Sequence, residues 1–270
     1  MALRAKRLFI ALLATCTLFS LAGKSGHAAV GIITALDATL EQLKQDTNIS
    51  GYSTIGGRNF YQGKLGSTSV ILVRSPMGKV NNAITAQILI STYSPTALLS
   101  ISPAGAIDPD LQIGDVVLAT DVYQHDFGTW KPYGFIWSKT PAYIQSMSTN
   151  YNQFPKVTPQ QVTELNETYT KKALDANRIV RGTIVSGDQF IASPQKRGWL
   201  HKKFNATAVD MGAAAIAQAC YINKTPISLI RVITDSADLD ARTTFSNSMP
   251  AYRTTINLAN VTAYLINTNL

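Results

Sequence analysis

A charged residue inside an apolar run, and a carboxyl group four residues beyond it, are the strongest chemical signals in the chain. Arg231 interrupts SLIRVIT, a run typical of a strand that is covered on both faces. A charge there needs a partner, so Arg231 either forms a structural ion pair, with Asp210 as the candidate, or points into a binding site. Asp235 ends the same run, where apolar surroundings would raise its pKa. It is either an acid in a pocket or the N-cap of the segment DSAD.

Apolar runs rich in β-branched residues alternate along the chain with segments of helical period. The predicted strands are VGIITAL, STSVILVRS, ALLSIS, DVVLATDVY, RGTIVSG, ATAVDM and ISLIRVIT, and the predicted helices are EQLKQ, NNAITAQILIST, PQQVTELNETYTKKALDA, AAAIAQACYI and YRTTINLANVTAYLI. This order predicts an α/β fold of three layers, a mostly parallel or mixed sheet flanked by helices. Gly56 and Gly57, then Gly63 and Gly66, indicate an early β-hairpin, and residues 127–158 predict a long loop or lid.

The segments that follow the predicted strands share a composition suited to ligand binding. They are rich in small residues and are polar or glycine-bearing: PMGKVNN, PAGAIDPDLQIGD, GDQFIA, MGAAA and DSADLD. In a sheet of this kind, ligands bind beyond the carboxyl ends of the strands. Backbone N–H groups and helix N-termini at such turns can face an anion or a hydroxylated ligand. We therefore expect a small-molecule site at the strand ends.

Five of these motifs, taken in order, carry a family resemblance. SPMGKVNNAITAQIL, SPAGAIDPDLQIGDVVLA with QHDFG after it, IVSGDQFI, VDMGAAAIAQ and IRVITDSAD resemble the motif set of methylthioadenosine/S-adenosylhomocysteine nucleosidases and the related nucleoside phosphorylases. The resemblance implies a homodimer that cleaves the N-glycosidic bond of a purine nucleoside, and scarce extracellular phosphate favours hydrolysis over phosphorolysis. Plant vegetative storage proteins belong to the same superfamily, so a non-catalytic nucleoside-binding or storage protein is the alternative.

The resemblance also implies roles for individual residues. Asp235 stands where the family keeps the acid that protonates or hydrogen-bonds N7 of the leaving purine, which suits a carboxyl group kept protonated by burial. Phe190 matches the aromatic residue that packs on the base, with core packing as the alternative, and Ile191 would offer backbone groups to the purine edge. Met211 matches the methionine beneath the ribose. Arg231 matches the arginine that helps hold the nucleophilic water or phosphate.

Two further segments complete the predicted substrate contacts. In SPAGA, Ser102, Ala104 and Gly105 are predicted to contact the substrate. By resemblance, His125 in QHDFG lies near the 5′ side of the sugar or at a subunit contact. The aromatic residues between positions 130 and 137 could close over the ligand.

The chain departs from the family at three positions on the sugar and nucleophile side. Thr39 stands where nucleosidases carry a glutamate that orders the attacking water, with Asp37 and Glu41 as the nearest carboxylates. Gly212 replaces the glutamate that clamps the ribose 2′- and 3′-hydroxyls, and Pro103 replaces a serine and removes a backbone donor. Losing the clamp would cost roughly 2 to 4 kcal/mol, about a hundredfold in rate, unless the sugar of the substrate lacks a hydroxyl.

The N-terminal 28 residues have the layout of a signal peptide. Basic residues precede an uncharged apolar run from Leu8 to Ala22, which is shorter than the ~20 residues that span a membrane. We predict cleavage after Ala28 or one residue later, with acylation of Cys16 as the alternative. Residues 29–270 then form one nucleoside phosphorylase-like domain, exported to the periplasm or secreted, without stable membrane insertion.

Charge and composition argue against several other classes of protein. The formal net charge of +8 includes four cations in the leader, so the remaining domain carries about +4 without a run of Lys or Arg, and we expect no nucleic-acid partner. Three histidines, one of them in the leader, predict neither a metal site nor a cofactor. Of the two cysteines only Cys220 remains after cleavage, which excludes an intrachain disulfide.

Overall fold

The computed structural model describes residues 29–138 and 178–255. The predicted leader, the predicted helix at 159–176 and most of the predicted helix at 252–266 lie outside these residues. The elements, in chain order, are β1 (Ala29–Thr34), α1 (Asp37–Asp46), β2 (Thr47–Ile55), β3 (Arg58–Leu65), β4 (Thr68–Arg74), α2 (Lys79–Tyr93), β5 (Ala97–Ala106), β6 (Val116–Gln124), β7 (Gly128–Lys131), β8 (Gly134–Trp137), β9 (Ile179–Ser186), α3 (Pro194–Phe204), β10 (Ala206–Asp210), α4 (Ala213–Ile222), β11 (Ile227–Asp235) and α5 (Ala241–Thr255). Within the described ranges, no helix is long and apolar enough to cross a membrane.

The described strands form a mixed sheet in the order β10-β9-β6-β11-β5-β1-β4-β3-β2. Strands β4, β1, β5 and β11 run parallel, while β6, β9 and β10 run parallel to one another in the opposite direction. Strand β10 also pairs with β5, antiparallel, at Val209 and Gly105. The five strands β5, β11, β6, β9 and β10 therefore close on themselves. The predicted α/β fold, a mixed sheet flanked by helices, is confirmed.

Successive side chains of a strand alternate between two hydrophobic cores, as the period-two geometry of a strand requires. Ile33 of β1 joins the core that includes buried residues of α2 and α4. Val30 and Ile32, from the same strand, join the core that includes Leu40 and Leu43 of α1. Helices thus cover both faces of the sheet, and its central strands are left with only their ends open to a ligand.

Glycines shape the early hairpin as the sequence predicts. Strands β2 and β3 are joined at Gly56 and Gly57, whose φ angles are +57° and +72°. Positive φ at both central residues is what a tight two-residue hairpin needs, and glycine adopts it without a Cβ clash. A second turn at Gly66 (φ +60°) leads from β3 into β4.

Three local predictions need correction. The segment that begins at Phe127 is not a loop at first but a hairpin of β7 and β8, which turns at Gly134 (φ +120°) between runs of β-forming residues. Helix α3 was not predicted, although Pro194 begins it and the Ser193 side chain caps it by accepting from Lys196 N. Helix α5 begins at Ala241, eleven residues before the predicted start.

Candidate active site

A cavity of about 170 Å³ lies at the carboxyl ends of the central strands. It is lined by at least one residue from each of the five segments expected to follow the strands, namely Met77, Asn82, Pro103, Ala104, Gly105, Gln189, Phe190, Ile191, Met211, Gly212 and Asp235. Ser102 and Thr234, the last residues of two predicted strands, line it as well. Arg74, Arg231, Asp210 and Phe245 also line it. The structure therefore brings together every predicted site residue except His125.

Asp235 is a buried carboxyl group at the end of β11, only 4% exposed. Burial raises its pKa, and the hydrogen bonds donated by Ala237 N (2.9 Å) and the Thr234 hydroxyl (3.3 Å) offset part of that rise. At Gly105 a Cβ atom would lie 2.6 Å from Asp235 Oδ1, so glycine keeps the approach to the carboxyl open. The N-cap interpretation is wrong, because the next helix begins only at Ala241. Asp235 is placed to hold a proton and to give it to a ligand.

Aromatic side chains line the same cavity as Asp235. The ring of Phe190 meets that of Phe245 edge to face, with centroids 6.0 Å apart, and the Arg242 guanidinium lies 5.5 Å from the Phe190 ring. Ile191 is 7% exposed. Such a wall suits the face of a flat aromatic ring such as a purine. Sequence reasoning missed Phe245 because α5 was expected to start after it.

Arg231 forms the predicted ion pair with Asp210 and also lines the cavity, so both predicted roles apply to it. It is 1% exposed, and its Nε donates to Asp210 Oδ2 at 2.7 Å. Its Nη1 donates to the carbonyl oxygens of Ser100 (3.1 Å) and Ile230 (2.8 Å). Its Nη2 donates to none of the residues that the structure describes, and Arg231 lines the cavity, so this nitrogen is available to a ligand.

Asp210 anchors that arrangement as a fully hydrogen-bonded carboxylate. Besides Arg231, it accepts from the Ser186 hydroxyl and from Gly212 N and Ala213 N at the start of α4. A carboxylate at a helix N-terminus is stabilised by the exposed N–H groups there. The buried guanidinium of Arg231 therefore has a counterion that protein hydrogen bonds hold in place.

The nucleophile side of the cavity lacks a free carboxylate among the described residues. Glu41 is exposed and paired with Lys44, and Asp37 lies at Arg74, with its Oδ1 3.1 Å from Arg74 Nε. Neither Asp37 nor Glu41 lines the cavity, and buried Thr39 does not line it either. Arg74, which does line it, had not been singled out because a basic residue at a strand end carries no signal of its own.

The predicted aromatic cover is not over the cavity. Phe135 and Trp137 pack on Trp199 and Phe204, the T-shaped Trp137–Phe204 pair having centroids 5.0 Å apart. Trp130, at the outer end of the hairpin, is 78% exposed. The β7–β8 hairpin is held against α3 instead, and none of these rings lines the cavity.

His125 lies outside the cavity, in the protein interior. It is fully buried, and neither ring nitrogen has a hydrogen-bond partner among the described residues. Any side chain at Gly187 would collide with its ring. The pKa of His125 is lowered to about 4, mainly by burial and in smaller part by the charges of Lys196 and Lys79, while Asp126 opposes the shift. The ring is therefore neutral at pH 7, and its predicted contact with a substrate has no support in this geometry.

We expect His125 to make the protein acid-sensitive. Because its folded pKa of about 4 lies below the unfolded value of about 6.5, the unfolded chain binds the proton first, and stability falls as pH drops through that window. Between pH 7.5 and 5 the loss from this residue is about 2 kcal/mol. Urea unfolding of His125→Leu should lack that part of the slope. The control His201→Gln should keep it, and an unchanged slope in His125→Leu would contradict the assignment.

Comparison with known proteins identifies the family. The model of the Phosphorylase superfamily matches residues 29–267. The chain belongs to the phosphorylase superfamily. It is 32% identical over 217 residues to a 5′-methylthioadenosine/S-adenosylhomocysteine nucleosidase of Staphylococcus aureus, across 80% of this chain and 90% of that protein. The predicted resemblance is thus confirmed, and with it the enzyme class, a nucleosidase or phosphorylase type.

Solved structures of a nucleosidase and a hydrolase have the same fold as this chain. An S-adenosylhomocysteine nucleosidase from Streptococcus pyogenes, in complex with 5-methylthiotubericidin, is 28% identical with a TM-score of 0.71 and covers 91% of this chain and 99% of its own. A futalosine hydrolase of Helicobacter pylori is 22% identical with a TM-score of 0.70, covering 88% of this chain and 97% of its own. The second likeness shows the fold alone.

Proposed function

We propose that this protein cleaves the N-glycosidic bond of a purine nucleoside, of the 5′-thio-substituted adenosine type named for its relatives. The observation that carries the proposal is Asp235, a buried carboxyl group with a raised pKa in the same cavity as the Phe190 ring. Breaking this bond leaves negative charge on the departing base and positive charge on the sugar. An acid that protonates the base lowers the barrier at the step where that charge develops.

Two nucleophiles fit the opposite side of the cavity. Water gives a free sugar, which is the reaction named for the relatives. Orthophosphate gives a sugar 1-phosphate, and one observation favours it as the second candidate. Arg74 and Arg231 both line the cavity, while the lining carboxylates are Asp210, already fully bonded, and Asp235 on the side of the base. A phosphate anion needs cations to hold it and no base to activate it.

A nucleoside panel tests the proposal and separates these reactions. The protein is incubated with adenosine, inosine, 5′-methylthioadenosine and S-adenosylhomocysteine, with and without phosphate, and free base and sugar product are measured. Base release without phosphate supports hydrolysis, and release only with phosphate supports phosphorolysis. If no nucleoside releases base although adenine binds by calorimetry, the non-catalytic binding or storage alternative replaces the proposal.

We also propose that the protein is exported and acts as a homodimer. Export is supported by the leader sequence, and N-terminal sequencing of the protein outside the cytoplasm should begin at residue 29 or 30. A homodimer is supported by the family resemblance and by apolar side chains left exposed on α2 and α4, including Val80 (68%) and Ile222 (51%). An uncleaved N-terminus at Met1 would contradict export. A single protomer in light scattering would contradict the dimer.

A further inference from the structure

The cavity wall beside Gly212 is made by the side chain of Asn82, a residue in the first turn of α2. Asn82 is only 7% exposed. A Cβ atom placed at Gly212 would lie 2.5 Å from Asn82 Cγ, 2.6 Å from Nδ2 and 2.7 Å from Oδ1. The carboxamide of Asn82 thus occupies the volume that any side chain at position 212 would need. The two positions are sterically dependent on each other.

Hydrogen bonds fix which way this carboxamide points. Its Nδ2 donates to the carbonyl oxygens of Pro76 (3.2 Å) and Gly78 (2.8 Å), which uses both of its hydrogens. The flipped amide would set an acceptor against two acceptors, so the orientation is determined. Its Oδ1 accepts no hydrogen bond from the residues that the structure describes. Asn82 lines the cavity, so this oxygen is open to a hydrogen-bond donor of a ligand.

The position of Asn82 in the cavity points to the sugar. Phe190 and Phe245 are in ring contact, and both line the cavity together with Asp235. The segments that carry Phe190 and Asp235 are joined by the hydrogen bond from Ser193 N to the Ala237 carbonyl oxygen, so a purine fits between the rings and the carboxyl group. Asn82 instead contacts Gly212, whose backbone N–H is bonded to Asp210, the partner of Arg231. The donors that a nucleoside presents away from its base are the hydroxyl groups of the sugar.

We propose that Asn82 Oδ1 accepts a hydrogen bond from one hydroxyl of the nucleoside sugar and makes the site selective for that single hydroxyl. The proposal rests on the nucleoside-cleaving function given above. With both Nδ2 hydrogens committed to backbone oxygens, the amide offers one oxygen and cannot clamp two hydroxyls in the bidentate manner of a carboxylate. The substrate class is therefore a purine nucleoside with a free hydroxyl at either the 2′ or the 3′ position, the other hydroxyl being dispensable.

Binding measurements test this without depending on catalysis. Dissociation constants of adenine, adenosine, 2′-deoxyadenosine and 3′-deoxyadenosine are measured by calorimetry in an Asp235→Asn background, in which cleavage is too slow to consume much ligand during a titration. We expect one of the two deoxynucleosides to bind about 3- to 10-fold more weakly than adenosine, the size of one neutral hydrogen bond. Adding Asn82→Ala should remove this difference and leave adenine binding unchanged.

Gly212→Ala provides an independent readout of the same contact. Its Cβ should displace the carboxamide and reproduce the loss of selectivity seen in Asn82→Ala. The double variant should be no worse than Asn82→Ala, because the methyl group then has room. Asn81→Ala is the matched control, since Asn81 bonds the Met77 carbonyl and Arg58 and does not line the cavity. It should keep the selectivity.

The outcomes separate this inference from the proposed function. If the wild-type protein cleaves no nucleoside but the hydroxyl selectivity is present and disappears in Asn82→Ala, the proposed function fails and the inference stands. Equal binding of all three nucleosides, or selectivity that survives Asn82→Ala, overturns the inference whatever the activity. Binding of no nucleoside at all overturns both.

Discussion

Asp235→Asn should release base from a nucleoside about 100- to 10,000-fold more slowly than the wild-type protein, the range expected on losing a general acid. The amide keeps the shape of the carboxyl group and can still accept from Ala237 N, but it has no proton to transfer. Base binding should survive, because an amide N–H can still donate to the purine. Single-turnover release of adenine measures the effect.

The pH dependence of the same rate has a defined sign. Burial raises the pKa of Asp235, and the protonated form is the active one, so the rate should fall as pH rises through that pKa. The contribution of Asp235 to the free energy of unfolding should also fall as pH rises. A raised folded pKa gives stability that is present in acid and lost above the folded pKa, so Asp235→Asn should unfold at neutral pH with an equal or larger free energy.

Asp108 is a matched control for Asp235. Asp108, outside the cavity, accepts a backbone hydrogen bond two residues on, as Asp235 does, and Asp108→Asn should leave the rate unchanged. If Asp235→Asn keeps its activity within about threefold of the wild-type rate, the carboxyl group is not the acid.

Arg231→Met should lower the free energy of unfolding by about 3 to 5 kcal/mol, because it leaves the buried Asp210 carboxylate without its counterion. That is a large share of the total stability of a domain. Arg231→Lys keeps the charge but cannot reach Asp210, Ser100 and Ile230 with one planar group, so its loss should be intermediate. Urea unfolding at neutral pH measures these changes.

A double variant shows whether the cost comes from the stranded charge. In Arg231→Met/Asp210→Asn, the loss should be smaller than the sum of the single losses, since no unpaired charge remains. Lys44→Met, which breaks the exposed pair with Glu41, is the surface control and should cost about 1 kcal/mol or less. A loss below about 1 kcal/mol in Arg231→Met would show that the buried pair does not hold the site together.

The sequence predicts the layout of the site better than its details. Five polar or glycine-bearing turns after apolar runs suffice to name most of the residues that line the cavity. The turns after β9 and β10 join those after β5 and β11, although the two pairs of strands run in opposite directions, because β10 closes onto β5. The partner of Arg231 could be named, since few carboxylates lie at the end of a predicted strand. The closure of β10 onto β5 has no sequence signal, because register and twist decide it. Asn82 was missed for a related reason, since its importance depends on the space left by Gly212 across the cavity.

The position of His125 shows the opposite failure. The family resemblance implies that His125 in QHDFG lies near the sugar of the substrate or at a subunit contact. The ring is instead enclosed, with Gly187 against it. The sequence cannot distinguish a buried neutral histidine from one that contacts a ligand. In both cases a histidine follows the end of a strand.

The most direct test of the central claim compares a nucleoside with its 7-deaza analogue. The analogue keeps the purine shape and the sugar but has carbon in place of N7, so no acid can protonate that position. The wild-type protein should release adenine from 5′-methylthioadenosine or adenosine and no base from the corresponding 7-deaza nucleoside, while binding both. Equal release from the two nucleosides, or release from neither, would contradict an N-glycosidic cleavage driven by Asp235.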